Sequence, residues 1–296
     1  MLKRTLYFSV PCHLSVKNKQ LIINIKEENK IQTIPVEDIG YVLLENNQIS
    51  FTLNLLEELN NNNVGVIFCN SKHNPNAMLL NLDGHHLQGE LFRQQIEVSE
   101  PMKKNLWKQT IEAKILNQVA LLQKIGKENR DIIVYSRNVK SGDSENREGA
   151  ASRLYWPRLF GNEFVRDRYG PPPNQMLNYG YTILRAAVAR ALCGSGLLPT
   201  LGIQHHNRYN AYCLADDIME PYRPFVDEMV YDLNVKYPEM QILEKEIRAE
   251  ILKLMTIDVK IGKNRRPLMI GLSQTTASLA RCFSGKTRKL IYPELN

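Results

Sequence analysis

As a string of apolar and polar positions, the chain changes period once. Up to about residue 83 the apolar residues fall in short runs, several of them alternating: "TLYFSV" from Thr5, "HLSVKNKQLIINI" from His13 and "IQTIPVEDIGYVLLE" from Ile31. Period-two stretches rich in β-branched residues, with polar turns between them, predict strands. "VGVIFCN" from Val64 is a continuous apolar run, the pattern of a strand buried on both faces, and "AMLLNLD" from Ala77 predicts a last strand. Between them "ISFTLNLLEELNNNN" predicts a strand edge passing into a short helix. Leu53, Leu56 and Leu59 fall at helical spacing there, and the Asn run ends the pattern.

From "GHHLQGELFRQQIE" at Gly84 onward the period is helical. "MKKNLWKQTIEAKILNQVALLQKIG" from Met102 predicts a long amphipathic helix, with Leu106, Ile111, Ile115, Val119 and Leu122 near one face and Gly126 at its end. Further helices are predicted at "REGAASRLYWPRLFG" from Arg147, "QMLNYGYTILRAAVARALCGSG" from Gln175, "YNAYCLADDIM" from Tyr209, "MQILEKEIRAEILKLM" from Met240 and "LSQTTASLARCFSG" from Leu272. "YGPPPNQ" from Tyr169 is a loop, and "IDVKIGKNRRPLMIG" from Ile257 a basic β-turn or arm. The expected class is α+β: a β-rich N-terminal domain over 1–84, a hinge or linker over 85–100 that holds His85 and His86, and a larger all-α domain over 101–296.

Composition narrows the picture little. A hydrophobic fraction of 43% and a charged fraction of 23% fit a folded protein. A net charge of +7 permits a polyanionic partner without establishing one. The five cysteines, Cys12, Cys69, Cys193, Cys213 and Cys282, are scattered with no C-x-x-C pair, which points to reduced thiols and no thiolate zinc site. "MLKRTLYFSV" lacks the apolar core of a signal peptide, and no apolar run approaches the ~18 residues of a membrane span. The expected location is the cytoplasm, with no membrane contact. Zincin, P-loop, Rossmann and nucleophile-elbow motifs are all absent from the sequence.

The candidate chemistry lies in "GIQHHNRYNAYCLADDIMEPYRPFVDE" from Gly202, where His205 and His206 precede Asp216, Asp217 and Glu220. Two readings stand side by side. On a helix starting near Asn210 the three acids crowd its C-terminal end, where the dipole disfavours anions, and Pro221 adds a break. Such a run is either solvated, offset by Arg208 and Arg223, or it holds a cation. A second candidate is "NREGAASRLYW". Glu148 begins that helix, Ser152 and Tyr155 follow on its face, small residues allow close approach, and Arg147, Arg153 and Arg158 are expected around the carboxylate. Tyr155 and Trp156 read either as core or as a surface that meets nucleic acid. Two carboxylates and one imidazole, Glu148, His205 and Glu220, suit Mg2+ or Mn2+ better than structural zinc.

At these stretches the sequence resembles the CRISPR-associated spacer integrases, the metal-dependent core enzymes of CRISPR adaptation. "EGAASRLYW" resembles the family's glutamate helix, "GIQHH" its Gly-x-x-His loop and "DDIMEPYRPFVDE" its acidic helix. "PPPNQMLNYGYTILRA", "CGSGLLPTLG", "SLARCFSGKTRKLIYPEL" and "VEDIGYVLLENNQISFTLNLLEELNNNNVGVIFCN" extend the likeness over nearly the whole chain. It is nearest to members encoded beside a single-protein, RNA-guided effector nuclease (type II systems).

The resemblance implies Glu148, His205 and Glu220 as catalytic metal ligands, with Asp217 at a neighbouring acidic position and His206 as a doubled histidine. It implies an endonuclease and integrase in which a DNA fragment's 3′-hydroxyl attacks a phosphodiester at a repeat border. The implied partners are duplex DNA with single-stranded ends, CRISPR repeat DNA, a second copy joined through the β-rich domain, a small ferredoxin-like adaptation protein, and the RNA-guided effector nuclease. Arg147, Arg153, Arg158, Arg166, Arg168, Lys263, Arg265 and Arg266 become candidates for phosphate contact. Two readings from other classes remain beside it: a DNA-binding module without catalysis, and a metal-dependent nucleotide phosphohydrolase.

Overall fold

In the computed structural model, residues 3–25, 30–81, 84–240 and 242–295 are described. The chain divides into two compact units, Met1–Leu82 and Asp83–Asn296.

The first unit is built on two four-stranded sheets. Strands β1 (Arg4–Phe8), β2 (His13–Lys17), β3 (Gln20–Ile25), β4 (Lys30–Pro35), β5 (Ile39–Leu44), β6 (Ser50–Phe51), β7 (Gly65–Cys69) and β8 (Pro75–Leu79) form orders β1-β5-β7-β8 and β4-β3-β2-β6. β1, β5 and β7 are parallel, and β8 closes that sheet antiparallel. All six residues of β5, "IGYVLL", are buried, as a central parallel strand requires. β3 alternates instead, sending Leu21 and Ile23 into the core with Leu14, Val36, Val42 and Val66. The strand expected at 77–83 forms as β8, and positions 82–83 lie outside the described residues.

Helix α1 (Leu53–Asn61) forms where expected, but of Leu53, Leu56 and Leu59 it buries only Leu59. Thr52 caps it by accepting from the Leu55 amide (3.3 Å), so Leu53 opens the first turn and is 81% exposed. Leu55 and Leu59, four apart, carry the packing instead.

The second unit is helical: α2 (Gln88–Glu97), α3 (Glu100–Lys124), α4 (Ile132–Arg137), α5 (Arg147–Phe160), α6 (Asn174–Gly194), α7 (Cys213–Met219), α8 (Arg223–Lys236), α9 (Lys245–Leu252) and α10 (Leu268–Phe283). The segment read as a hinge carries α2. Its buried Gln95 donates to the carbonyls of Leu198 (2.9 Å) and Leu201 (3.2 Å) and accepts from the Leu198 amide (2.9 Å), so α2 groups with the helical unit. The basic arm is a hairpin of β9 (Asp258–Ile261) and β10 (Asn264–Pro267). α6 is buried along most of its length. Its Gly180 lets α8 approach so closely that a Cβ there would stand 2.5 Å from Val226 Cγ1. None of the five cysteines forms a disulfide. Among the described residues no helix is long and apolar enough to cross a membrane.

Candidate metal centre

The sequence marks one apolar stripe on α3, and the structure buries a second, polar one. Thr110, Lys114 and Asn117 recur at helical spacing and are all buried. Thr110 Oγ1 pairs with the Tyr292 hydroxyl at 2.8 Å. Asn117 Nδ2 donates to the carbonyls of Pro221 (2.7 Å) and Pro293 (3.0 Å), and its Oδ1 accepts from the Leu295 amide (3.0 Å). Between these anchors Lys114 extends into the protein, its side chain 7% exposed. Its Nζ stands 2.5 Å from Glu148 Oε1 and 2.5 Å from Glu220 Oε2. The contact with Glu148 is an aligned hydrogen bond, while Glu220 Oε2 meets the ammonium as an ion pair without that alignment.

Glu148 is placed by the start of α5. Asn146 caps the helix through Oδ1, which accepts from the Gly149 amide at 3.0 Å. Asp143 accepts from the next free amides, Arg147 (2.8 Å) and Glu148 (3.1 Å). The Glu148 carboxylate is thus fixed in the first turn, where the helix dipole favours it.

The acidic run follows a different geometry from the sequence expectation. α7 starts at Cys213, not near Asn210, so Asp216 lies in its first turn. A single 3-10 turn, Glu220–Tyr222, then joins α7 to α8 across Pro221. The three acids do not share one cation. Asp216 accepts from Arg185 Nε (2.5 Å) and Asn210 Nδ2 (2.6 Å). Glu220 takes Lys114 on one oxygen and Arg223 Nη1 (2.7 Å) on the other. Asp217, fully buried, accepts from the amides of Ile203 (2.7 Å), Gln204 (3.0 Å) and His205 (3.2 Å), and meets His205 Nδ1 at 2.5 Å. The like-charge penalty read from the sequence is therefore relieved pair by pair.

The loop before α7 wraps the Asp217 carboxylate like a nest of backbone donors. Gly202 makes this possible: a Cβ would lie 2.3 Å from the His205 carbonyl oxygen and 2.8 Å from Asp217 Oδ2. An ionised carboxylate can only accept, so Nδ1 of His205 carries the proton, and in the neutral ring Nε2 keeps its lone pair. The imidazole sits edge-on to Trp107 of α3, ring centroids 5.8 Å apart, and is 47% exposed. His206 is exposed.

Charge sets the protonation of the centre. The Asp217 hydrogen bond, against partial burial, raises the His205 pKa, and the charges of Asp217, Glu220 and Asp216 add to the rise. Burial alone would raise Glu220; Arg223 and Lys114 outweigh it and hold its carboxyl below the usual range. Burial would likewise lower Lys114, but Glu220 and Glu148 keep its ammonium charged, with its pKa raised.

The cation at Glu148 is thus Lys114 and not the expected arginines. Arg147 pairs with Glu145 and lies 5.9 Å from the centroid of the Tyr135 ring, Arg158 grips Asp131 through two bonds (2.5 and 2.7 Å), and Arg153 is exposed. Arg166 donates to Asn174 (2.9 Å) and Asn178 (2.7 Å), and Arg168 lies over Tyr169. Lys263, Arg265 and Arg266 are exposed on the β9–β10 hairpin. Tyr155 is core: fully buried, it donates to Asp227 Oδ2 at 2.8 Å. Trp156 packs against Tyr155, Phe160 and Phe164. Sequence reasoning missed Lys114, whose signal was a face of α3 made of Thr110, Lys114, Asn117 and Gln118, with one lysine and no acid to answer it.

Among the described residues no three His, Cys, Asp or Glu side chains stand ready to ligate one ion, and Lys114 occupies the point where Glu148 and Glu220 meet. The donor set nevertheless fits a hard divalent cation. Two carboxylates from different helices converge on a positive charge, and a neighbouring imidazole is oriented through Nδ1 by a buried carboxylate, the arrangement that prepares a histidine ligand.

Comparison with known proteins bears on the same chemistry. Residues 6–238 match the family described as CRISPR associated protein Cas1. The CRISPR-associated endonuclease Cas1 of Neisseria meningitidis serogroup C (strain 8013) is 32% identical over 285 residues, covering 95% of this chain and 93% of the relative. A solved casposase bound to its integration product shares the fold, with a TM-score of 0.78 at 21% identity over 98% of this chain and 92% of that one. So does a chain of a Cas6-RT-Cas1–Cas2 complex, with a TM-score of 0.73 at 18% identity over 99% of this chain and 36% of that one.

Proposed function

Because this chain belongs to the Cas1 family of CRISPR-associated proteins, we propose that Glu148, Glu220 and His205 hold the divalent cation on which its DNA chemistry depends. The protein is an endonuclease and integrase of CRISPR adaptation, inserting short DNA fragments into a repeat array. The observation that carries the site assignment is the convergence of Glu148 and Glu220 on one positive charge beside the oriented imidazole of His205.

The ion is Mg2+ or Mn2+, given the oxygen-rich donor set. When bound it supplies Lewis-acid polarisation of a phosphodiester oxygen and lowers the pKa of a hydroxyl. The chain's own groups do the rest. Asp217 holds His205 by Nδ1 so that Nε2 is the donor. Arg223 keeps Glu220 ionised. Arg153 and the exposed hairpin residues Lys263, Arg265 and Arg266 face solvent and position DNA through phosphates. In the reaction the fragment's 3′-oxygen forms a bond to phosphorus, the bond from phosphorus to the target strand's 3′-oxygen breaks, and that oxygen leaves as a new 3′-hydroxyl.

The solved relatives bound to an integration product and assembled with Cas2 support DNA and a Cas2-type small protein as partners. A homodimer joined through the β-rich unit, and contact with an RNA-guided effector nuclease, rest on the sequence resemblance alone.

The test is strand transfer of a short duplex with single-stranded 3′ ends into a supercoiled, repeat-bearing plasmid, with Mn2+ and the small partner. Glu148→Gln, Glu220→Gln and His205→Ala should each lower joined product by about a hundredfold or more. Full activity in any of the three removes that residue from the set, and full activity in both glutamine variants places the metal and its chemistry on other residues.

A further inference from the structure

The Lys114 ammonium occupies the meeting point of two carboxylates proposed as metal ligands, at 2.5 Å from each. We propose that Lys114 is an internal stand-in for the cation: it holds Glu148 and Glu220 together in the metal-free protein, and a divalent ion enters only as its side chain leaves. This deepens the metal reading above and rests on it.

Three observations carry the proposal. The first is distance. A magnesium ion takes its oxygens at about 2.1 Å. An ion reaching Glu148 Oε1 and Glu220 Oε2 together therefore needs the volume now filled by Nζ, and the two cations exclude each other. The second is burial. A lysine side chain 7% exposed, set among Thr110, Ile111 and Asn117 on α3, is not a solvated charge that happens to swing inward. Removing it from water is costly unless opposite charges compensate, and the two glutamates are its compensation. The third is the neighbourhood. Glu220 already carries Arg223 on Oε1, so Oε2 is the oxygen left for exchange, and it faces Lys114 without an aligned hydrogen bond.

The physical consequence is a protein that folds with its acids gathered before any metal arrives. Without a cation between them, the buried carboxylate of Glu220 and the part-exposed one of Glu148 would repel each other. With Lys114 there, both stay in place. The cost falls on affinity, because incoming metal must displace a bound charge. Lysine suits this role better than arginine: its ammonium is a compact point charge on a flexible stem, whereas guanidinium is a planar fork that commits both oxygens of one carboxylate.

The exchange can be read on the wild-type chain. Amine-reactive labelling followed by mass spectrometry should find Lys114 protected without metal and labelled at least about fivefold faster in saturating Mn2+, as a buried ammonium becomes a solvated one. Calorimetric titration should show Lys114→Met binding Mn2+ about tenfold or more tighter than wild type, about 1.4 kcal/mol. Lys114→Arg, which keeps the charge, should bind no tighter than wild type. If Lys114→Met folds only with Mn2+ present, the stand-in role is supported directly. Lys114 that stays protected in saturating Mn2+ overturns the proposal, as does a folded Lys114→Met with unchanged or weaker affinity. The Glu220→Gln protein separates the two levels. If wild type binds Mn2+, Glu220→Gln does not and Lys114 remains protected, only this inference fails. If Glu220→Gln binds Mn2+ as wild type does, the metal reading itself fails.

Discussion

Two acids seven residues apart, Glu220 and Asp227, are both buried in the helical unit, yet their surroundings treat them oppositely. Glu220 lies between two cations, Lys114 and Arg223, and its carboxyl is held below the usual range despite burial. Asp227 lies between two phenols. It accepts from Tyr155 (2.8 Å) and from Tyr181, and burial pushes its pKa up to about 6 in spite of both bonds. A hydroxyl stabilises a carboxylate without cancelling its charge, whereas a cation does both. The difference separates two jobs. A buried acid kept charged by an exchangeable cation is prepared to bind a metal. A buried acid among core hydroxyls ties helices together.

The sharpest way to break this contrast is to neutralise each acid in turn. Glu220→Gln leaves Lys114 and Arg223 short of a partner, which should cost about 3–5 kcal/mol in denaturant melts along with about a hundredfold in strand transfer. Asp227→Asn keeps the shape and removes an unfavourable charge, so strand transfer should stay within about twofold at neutral pH, inside the range of ordinary substitutions away from a site. Comparable activity losses in the two proteins would erase the distinction.

Gly202→Ala sharpens it from the histidine side. The added Cβ meets the His205 carbonyl oxygen at 2.3 Å, and backbone cannot yield as a flexible side-chain tip can. The loop must open and surrender some of the four bonds it makes to Asp217. Hydrogen bonds to a buried charge are worth about 1.5–3 kcal/mol each, so losing two costs at least about 3 kcal/mol. Mn2+ affinity should fall with it, measured by calorimetry. An alanine variant with wild-type stability and affinity would show that the nest around Asp217 does not position His205.

These contrasts also explain what the sequence could and could not reveal. The β-rich and helical regions were legible because periods of two and 3.6 are written in consecutive residues: β3 buries Leu21 and Ile23, two apart, as the alternating run from His13 predicts. The acids were visible as a run, but their partners were not. Lys114 is distant in sequence from both Glu148 and Glu220 and reaches them only through tertiary packing of α3, while its neighbours Ile111 and Ile115 make the helix look merely amphipathic. The crowding of Asp216, Asp217 and Glu220 looked like one penalty because the turn at Pro221 and the start of α7 at Cys213 cannot be fixed to the residue from propensity. Tyr155 was ambiguous for a simpler reason: a tyrosine beside arginines fits a DNA surface, and only Asp227, far along the chain, shows that its hydroxyl points inward.

The mildest test concerns Asp227 and pH. Its unfolded pKa is near 3.9, and its folded value is about 6. Between those values the folded protein binds the proton and the unfolded chain does not, so this group's contribution to stability falls as pH rises through that window and is level above it. Two units at about 1.4 kcal/mol each make the loss about 2–3 kcal/mol. Many groups titrate over the same range, but they do so in both proteins when wild type is compared with Asp227→Asn. Urea melts at steps from pH 4 to pH 7.5 should therefore show the variant gaining on wild type by about that amount, with most of the gain between pH 4 and pH 6. Tyr155 and Tyr181 set the scale. If the two hydroxyls stabilised the carboxylate as fully as Lys114 and Arg223 stabilise Glu220, the stability difference would be flat across this range, and the contrast between the two acids would lose its electrostatic basis.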